Sequence, residues 1–249
     1  MRITNAERMA NGYRNIIAER INRFRIGYVF TPSVFYDIVN NPVQVSRILR
    51  QLVQEGTIRK VSKGHFDRPK QTIFGVMAPS EDWMLQEFLM DGKTIIGYVS
   101  GAQAFASLGL TTQISGNYTI GSNTYRRAVR RGMITIRFVL QQNTLTRENI
   151  PLLQILDAIR FIREIPACTP VEACTILRQQ IQNKDAASRR QLATLALKYT
   201  PYVRAIVGAM LDETDTNTTA LYRSLNIAST YRIGLTPDVL PNCKKWRIV

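Results

Sequence analysis

The residues of this 249-residue chain that could carry out catalysis or bind a metal are few. Histidine occurs once, as His65, and the three cysteines, Cys168, Cys174 and Cys243, all lie more than 100 residues beyond it. A zinc site or a histidine-activated nucleophile requires several such side chains to lie close together. We therefore predict no metal and no cofactor, and we expect the cysteines to be packing or surface residues.

Asp212, Glu213 and Asp215 form the tightest group of acidic residues. They lie in the stretch Asp-Glu-Thr-Asp-Thr-Asn-Thr-Thr, which is typical of a helix end followed by a turn rich in capping residues. The chain also lacks a GxxxxGK[ST] phosphate-binding loop and a GxGxxG motif after a strand. These features favour a function that is not enzymatic.

Arginine and glutamine side chains, by contrast, recur at helical spacing. Apolar residues at 45, 48, 49 and 52 predict a helix over 42–55 with one buried stripe. At 100° per residue, the opposite face has no acidic residue. Arginine and glutamine can make bidentate contacts with guanine and adenine edges in the major groove. We predict that this face binds DNA through Gln44, Arg47, Arg50 and Gln51, with Gln44 and Arg47 contacting bases.

A basic β-hairpin is predicted directly after this helix. Gly56 ends the helix, residues 57–62 have the composition of a strand, and Lys63-Gly64 supplies a tight turn before the next strand. Such a hairpin can lie along the phosphate backbone of DNA. The residues that we expect to contact DNA here are Arg59, Lys60, Lys63, His65 and Arg68.

The elements that position these side chains are predicted from capping signals. Helical spacing of apolar residues indicates a first helix over 5–22. Thr31-Pro32 and Asn41-Pro42 each combine an N-cap residue with proline at the first helical position, so they predict helices over 32–38 and 42–55. Two helices so closely spaced form a helix-turn-helix, and with the hairpin they form a winged helix-turn-helix. A protein-docking role for the same fold is the alternative.

The charge of the chain also favours a polyanionic partner. Thirty-three basic residues against 18 acidic ones give +15, while 45% of the residues are hydrophobic, as expected of a foldable chain with a basic surface. Residues 1–80 hold 13 basic and 5 acidic residues, which is more than half of the excess. Unpaired cysteines and the lack of a long apolar stretch predict a cytoplasmic protein without a membrane partner.

The remainder of the chain mixes strands and helices. Strands are expected at 118–120 and 134–139, and a helix capped by Ser100 is expected to stop at Gly109. The polar connection between these strands is a second patch for anions or a partner, or else a solvated turn, and its basic residues are Arg126, Arg127, Arg130 and Arg131.

From about residue 167 the chain is predicted to be a helical extension. Thr169-Pro170-Val171-Glu172 is a capping box that opens a helix to about residue 182. The helical pattern continues over 186–211 with a break at Thr200-Pro201, followed by a helix near 216–226 and strands at 230–235 and 245–249.

Three stretches of the sequence resemble a known family. They are Val61-Ser62-Lys63-Gly64-His65-Phe66, Tyr98-Val99-Ser100-Gly101-Ala102-Gln103-Ala104 and Leu108-Gly109-Leu110-Thr111-Thr112-Gln113, followed by the strand pair. In order and spacing, over roughly residues 15–165, these pieces resemble the AbiEi-like antitoxins of type IV toxin–antitoxin and abortive-infection systems.

This resemblance implies a transcriptional autorepressor. In that family, the winged helix-turn-helix binds inverted repeats in the operon's own promoter, and a C-terminal α/β domain antagonises a nucleotidyltransferase-like toxin, classically without a stable complex. The helical extension departs from the family pattern.

Together these observations predict an α+β chain with two domains. Residues 1–79 form a winged helix-turn-helix that binds double-stranded DNA, and residues 80–249 form an α/β antitoxin-like domain with the helical extension. Two alternatives remain, namely a nucleic-acid-processing enzyme that uses the winged helix to bind its substrate, and a winged-helix protein-interaction module.

Overall fold

The computed structural model has the α+β fold class that the sequence predicted. It describes residues 5–69, 71–72, 75–76, 81–92, 94–113, 116–131 and 134–249. The chain divides into two compact units, residues 1–86 and residues 87–249. The boundary that the sequence predicted after residue 79 falls within residues 77–80, which lie outside the described residues.

The first unit contains the two long helices that the sequence predicted, and α2 begins at its predicted cap. Helix α1 spans Asn5–Asn22, and helix α2 spans Pro42–Gln54. The side chain of Asn41 accepts hydrogen bonds from the backbone N–H groups of Val43 and Gln44. The short helix predicted over 32–38 is a 3-10 helix, Pro32–Phe35, followed by turns. The Thr31 side chain makes no capping hydrogen bond, so this short helix lacks the N-cap interaction that Asn41 provides at the start of α2.

A small antiparallel sheet completes this unit. Strands β1 (Val29–Phe30), β2 (Arg59–Ser62) and β3 (His65–Asp67) lie in the order β1-β3-β2. Gly64 joins β2 to β3 with a φ of 77°, a conformation that glycine adopts without strain. The core between helices and sheet contains Ile17, Ile21, Phe30, Phe35, Val39, Val45, Ile48, Leu49, Leu52, Ile58 and Phe66.

Short elements follow before the second unit's main sheet. Strands β4 (Gln71–Thr72) and β5 (Gly75–Val76) pair with each other. Helix α3 spans Glu81–Leu89, and strands β6 (Met90–Asp91) and β7 (Thr94–Ile95) form a second small hairpin.

The second unit is built on a four-stranded sheet. Its members are β8 (Gly97–Ser100), β9 (Asn117–Ser122), β10 (Val129–Arg131) and β11 (Ile134–Leu140), with helix α4 (Ala102–Ser107) between β8 and β9. The strand order is β10-β11-β9-β8, with β9 and β11 parallel and the other pairs antiparallel. The polar connection predicted between the two strands therefore contains the edge strand β10.

Two local predictions for the second unit differ from the structure. Gly101, with a φ of 67°, occupies the N-cap of α4 instead of Ser100. Ser100 ends β8, and its hydroxyl donates to Asp157. The predicted strands at 230–235 and 245–249 do not form as regular strands, and an isolated parallel bridge, Tyr231 with Ile248, joins the two segments together with backbone hydrogen bonds from Ile233 and Gly234 to Val249.

Helices form the remainder of this unit. They are α5 (Ile150–Arg160), α6 (Pro170–Gln182), α7 (Ala186–Ala196), α8 (Pro201–Leu211) and α9 (Thr219–Arg223). The capping box at Thr169 is formed as predicted, since its side chain accepts from the Glu172 N–H while the Glu172 carboxylate accepts from the Thr169 N–H. The predicted break at Thr200-Pro201 separates α7 from α8.

The last residues pack against α8. Trp246 is fully buried, and its indole N–H donates to Asp212 Oδ2 at 2.8 Å. A Cβ on Gly208 would lie 2.1 Å from the Trp246 ring, so only glycine allows this close approach. The segment after α9 is thus held to the helical layer without forming a regular strand.

Candidate nucleic-acid interface

The outer face of α2 presents the side chains that the sequence selected for base contacts. Arg47 and Arg50 are exposed, while Gln44 and Gln51 are half-buried beside them. The N-terminal end of this face also carries Val43, which is 75% exposed. The Arg50 side chain makes a long hydrogen bond to the Ser46 carbonyl, 3.4 Å, and Arg47 has no ion pair among the described residues. Both guanidinium groups are therefore free of acidic partners there.

The β2–β3 hairpin presents two lysines. Lys60 and Lys63 are exposed, and neither is in an ion pair within the part of the chain that the structure describes. His65 is half-buried at the turn, where its Nδ1 lies 3.1 Å from Ser62 Oγ and 3.1 Å from the Lys63 carbonyl oxygen. His65 therefore contributes to the shape of the turn that carries Lys63.

Arg59 has a different environment from its neighbour Lys60. Its Nε lies 3.0 Å from Asp67 Oδ1, and its terminal nitrogen lies 2.5 Å from Asp67 Oδ2. The Asp67 side chain is fully buried, whereas that of Arg59 is 29% exposed. This bidentate pair joins β2 to β3, so the guanidinium that the sequence assigned to phosphate is bound to a carboxylate.

Arg68 also makes contacts within the unit. Its guanidinium donates to the backbone carbonyls of Asn22, at 2.7 Å, and Phe24, at 3.1 Å. The Gly27 N–H in turn donates to the Arg68 carbonyl at 2.8 Å. These bonds connect the end of β3 to the end of α1, which is a structural role for a residue that the sequence grouped with the phosphate contacts.

The acidic residues within 12–69 all lie in ion pairs. Residues 12–69 hold ten basic and four acidic residues. Each of these acids contacts an arginine, in the pairs Glu19–Arg23, Asp37–Arg20, Glu55–Arg14 and Asp67–Arg59. The hydrogen bond from Arg20 lowers the pKa of Asp37. The basic residues left without an acid are Arg25, Arg47, Arg50, Lys60, Lys63 and Arg68.

The second basic patch has a mixed character. Arg126 is half-buried, with its guanidinium carbon 5.8 Å from the Phe88 ring centre and 5.9 Å from that of Phe138. Arg127 and Arg130 are exposed, and the side chain of Arg131 lies outside the described residues. Arg126 thus covers aromatic surface, while the side chain of Arg127 is exposed to solvent.

A buried polar network in the second unit was not predicted. Asp157 on α5 is fully buried and accepts hydrogen bonds from Tyr98 at 2.6 Å, Ser100 at 2.7 Å and Tyr199 at 2.9 Å. Gln141 donates to both tyrosine hydroxyls. Burial raises the pKa of Asp157 above its ordinary value. The available signal was one acidic residue within the otherwise apolar segment Ile155–Ile159.

The predicted acidic cluster is the end of a helix, as expected. Asp212 is the C-cap of α8 and accepts from Lys245, Trp246 and Thr218, and Glu213 pairs with Arg178. Among the described residues, no group of three His, Cys, Asp or Glu side chains could hold a metal ion.

The cysteines are free thiols. Burial raises the pKa of Cys174 to about 12, so it remains protonated at neutral pH. Over the described ranges, no helix combines the length and apolar character needed to cross a bilayer.

Fold and surface together define an α+β protein with a basic helix face and a basic hairpin. The chain belongs to the family of unknown function DUF6088, which matches residues 16–185. It is similar to the crystal structure of the RV2827C protein from Mycobacterium tuberculosis, with 14% identity, a TM-score of 0.44, and coverage of 93% of this chain and 86% of that one. No curated protein matches the sequence.

Proposed function

We propose that the first unit is a winged helix-turn-helix that binds double-stranded DNA. The observation that carries this proposal is the set of basic residues on the outer face of α2 and on the β2–β3 hairpin that have no acidic partner among the described residues. The order of helices and strands and the β1-β3-β2 sheet suit such a domain, with α2 as the recognition helix and the hairpin as the wing.

Within this proposal, the basic residues have three roles. Arg47 and Gln44 contact base edges, with Arg50 and Gln51 beside them on the same face. Lys60 and Lys63 contact phosphates. Arg59, Arg68 and His65 position the wing, because their side chains are held by Asp67, by backbone carbonyls and by the turn.

The biological role that we propose is autorepression by an antitoxin. It rests on the resemblance to the AbiEi-like antitoxins and assigns the protein to the cytoplasm, with a nucleotidyltransferase-like toxin as the activity that it antagonises. The protein itself has no enzymatic role in this proposal. The patch Arg126, Arg127, Arg130 and Arg131 is a second surface for anions or for a partner.

The DNA-binding proposal is tested by footprinting on the gene's own promoter, followed by binding titrations of variants. Arg47→Ala should cost about 1–3 kcal/mol on the specific site and relax its specificity, whereas Lys63→Ala should weaken all sequences alike. Arg23→Ala is the matched control, because Glu19 already compensates this exposed charge. Equal losses for Arg47→Ala and Lys63→Ala on specific and random DNA would contradict the assigned roles. Absence of DNA binding would favour a protein-interaction module.

The antitoxin proposal needs a separate test in cells. A nucleotidyltransferase-like reading frame beside the gene should arrest growth when expressed alone, and co-expression of this protein should restore growth. If growth stays arrested although the protein represses its promoter, DNA binding stands and the antitoxin role does not.

A further inference from the structure

A cavity in the second unit has the composition of a ligand site. It lies where the end of α5, the start of α8 and residues 230–233 meet, and its volume is about 390 Å³. Small-molecule sites commonly have volumes of about 300–1,000 Å³. The cavity shares no residue with α2 or the hairpin.

The charge of the cavity wall is predominantly positive. Arg160, Arg163 and Arg232 line it, against one carboxylate, Glu164. None of these four side chains is in an ion pair within the described ranges. Arg163 donates to the Arg232 backbone carbonyl, which holds its guanidinium at the cavity. Three arginines against one carboxylate around a concave surface favour an anionic ligand, and arginine binds phosphate through paired N–H donors.

Two tyrosines supply the remaining polar groups. Tyr202 donates its hydroxyl to the Arg160 carbonyl, so this donor is already used. The Tyr231 hydroxyl oxygen is buried and has no hydrogen-bond partner among the described residues. A buried polar group without a partner is costly and uncommon in folded proteins. A ligand with hydroxyl or phosphate oxygens could accept from this hydroxyl.

We propose that this cavity binds a small organic phosphate. The arginines hold the phosphate group, Tyr231 donates a hydrogen bond, and Glu164 accepts from a hydroxyl of the organic part. The aromatic ring of Phe161 is covered by the Arg160 guanidinium, 5.3 Å from the ring centre, which fixes that arginine at the rim. This inference does not depend on DNA binding.

The test uses the full-length protein and three probes, namely adenosine monophosphate, inorganic phosphate and succinate. Thermal denaturation and isothermal titration calorimetry are carried out at about 150 mM salt to screen weak surface binding. Adenosine monophosphate should raise Tm in a concentration-dependent manner, inorganic phosphate should do so more weakly, and succinate should have no effect. Equal responses to succinate and adenosine monophosphate would overturn the phosphate assignment.

Variants locate the binding. Arg163→Gln and Arg232→Gln should each weaken binding of adenosine monophosphate by about tenfold or more. Arg190→Gln removes an exposed arginine of α7 and should leave the affinity unchanged. Tyr231→Phe should weaken binding without lowering stability, because its hydroxyl has no hydrogen-bond partner in the described part of the chain. Lys63→Ala should have no effect on the binding of adenosine monophosphate, which separates this site from the DNA surface.

Unchanged affinity in all three cavity variants, or an equal loss in Arg190→Gln, would refute the proposal.

Discussion

Adjacent cations on one strand have different surroundings. Arg59 is bound to the buried carboxylate of Asp67, and Lys60, the next residue, is exposed. Removing one partner of a buried ion pair leaves the other charge uncompensated, which costs more than the pair contributes when intact. In the proposed complex with DNA, Arg59 would therefore act indirectly, through the geometry of the hairpin.

Arg59→Ala should lower the free energy of unfolding of the first unit by about 3 kcal/mol, at the low end for a buried pair because the arginine is partly exposed. Urea denaturation measures this loss. Lys60→Ala serves as the control and should change stability by less than about 0.5 kcal/mol while weakening DNA binding. If both variants were equally stable, the Arg59–Asp67 pair would not hold the hairpin together.

Asp157 should make the stability of the second unit depend on pH. Burial raises its pKa in the folded state above the value of 3.8 that applies in the unfolded chain. Between these two pKa values, the folded state holds a proton that the unfolded state has released, so stability falls as pH rises. This contribution is fully present below the unfolded pKa and is lost as pH rises through the folded pKa.

Asp157→Asn should remove this dependence while keeping a polar group among the tyrosine hydroxyls. Urea denaturation of both proteins between about pH 4 and pH 8 tests it. The stability of the original protein relative to the variant should decrease with rising pH. An increase would mean that the three donated hydrogen bonds outweigh burial and that the carboxylate is ionised.

At the scale of elements, α8 packs so closely against the Trp246 ring that only glycine fits at position 208. A methyl group at Gly208 would overlap the Trp246 ring, whereas one at Gly12 in α1 would have nothing within 4 Å. Alanine is favoured over glycine within a helix by about 1 kcal/mol. The same substitution should therefore have opposite effects in the two helices.

Gly208→Ala should destabilise the protein by about 1–2 kcal/mol, since overpacking exceeds the gain in helix propensity. Gly12→Ala should stabilise it by up to about 1 kcal/mol. Thermal denaturation followed by circular dichroism provides both values. Stabilisation by Gly208→Ala would show that the Trp246 contact can relax without loss.

The elements that the sequence predicted well are those with local signals. Asn41-Pro42, the Thr169 capping box and Thr200-Pro201 act through neighbouring residues, and the structure contains helix starts at all three. The apolar stripe of α2 is buried as its spacing predicted. Such features depend on a few adjacent side chains, which is why periodicity and capping are sufficient to locate them.

Features that join distant residues could not be predicted in this way. The Arg59–Asp67 pair and the Asp157–Tyr199 hydrogen bond depend on strand register and helix packing. Residues 230–235 and 245–249 have strand-like composition, yet they are joined by one bridge and a few backbone hydrogen bonds and form no regular strands, with Trp246 packed on α8. Tertiary packing decided their conformation, because propensity alone is a weak determinant of strands.

At the scale of the whole molecule, acidic partners neutralise some of the basic residues and leave others exposed. In residues 12–69 each acid is paired with an arginine outside the α2 face and the hairpin tip. Besides Arg25, the cations that remain exposed are Arg47, Arg50, Lys60 and Lys63, which lie on the α2 face and the hairpin. If these residues contact DNA phosphates and bases, their number sets the salt dependence of binding, because each neutralised phosphate releases counterions.

The logarithm of the DNA association constant should fall with the logarithm of salt concentration with a slope between about −2 and −4 per bound copy. Fluorescence anisotropy of a labelled promoter fragment, measured across a range of salt concentrations, gives this slope. Lys63→Ala should reduce its magnitude by about one unit, and Arg23→Ala should leave it unchanged. A slope near zero would exclude phosphate contacts by the hairpin.

The packing of Trp246 also gives the protein an optical label. The chain has two tryptophans, Trp83 and Trp246, and each of the two compact units contains one. In a Trp83→Phe variant, the emission reports only on the indole held between Gly208 and Asp212. The unfolding of the second unit can therefore be followed separately by fluorescence, without a dye or an added chromophore.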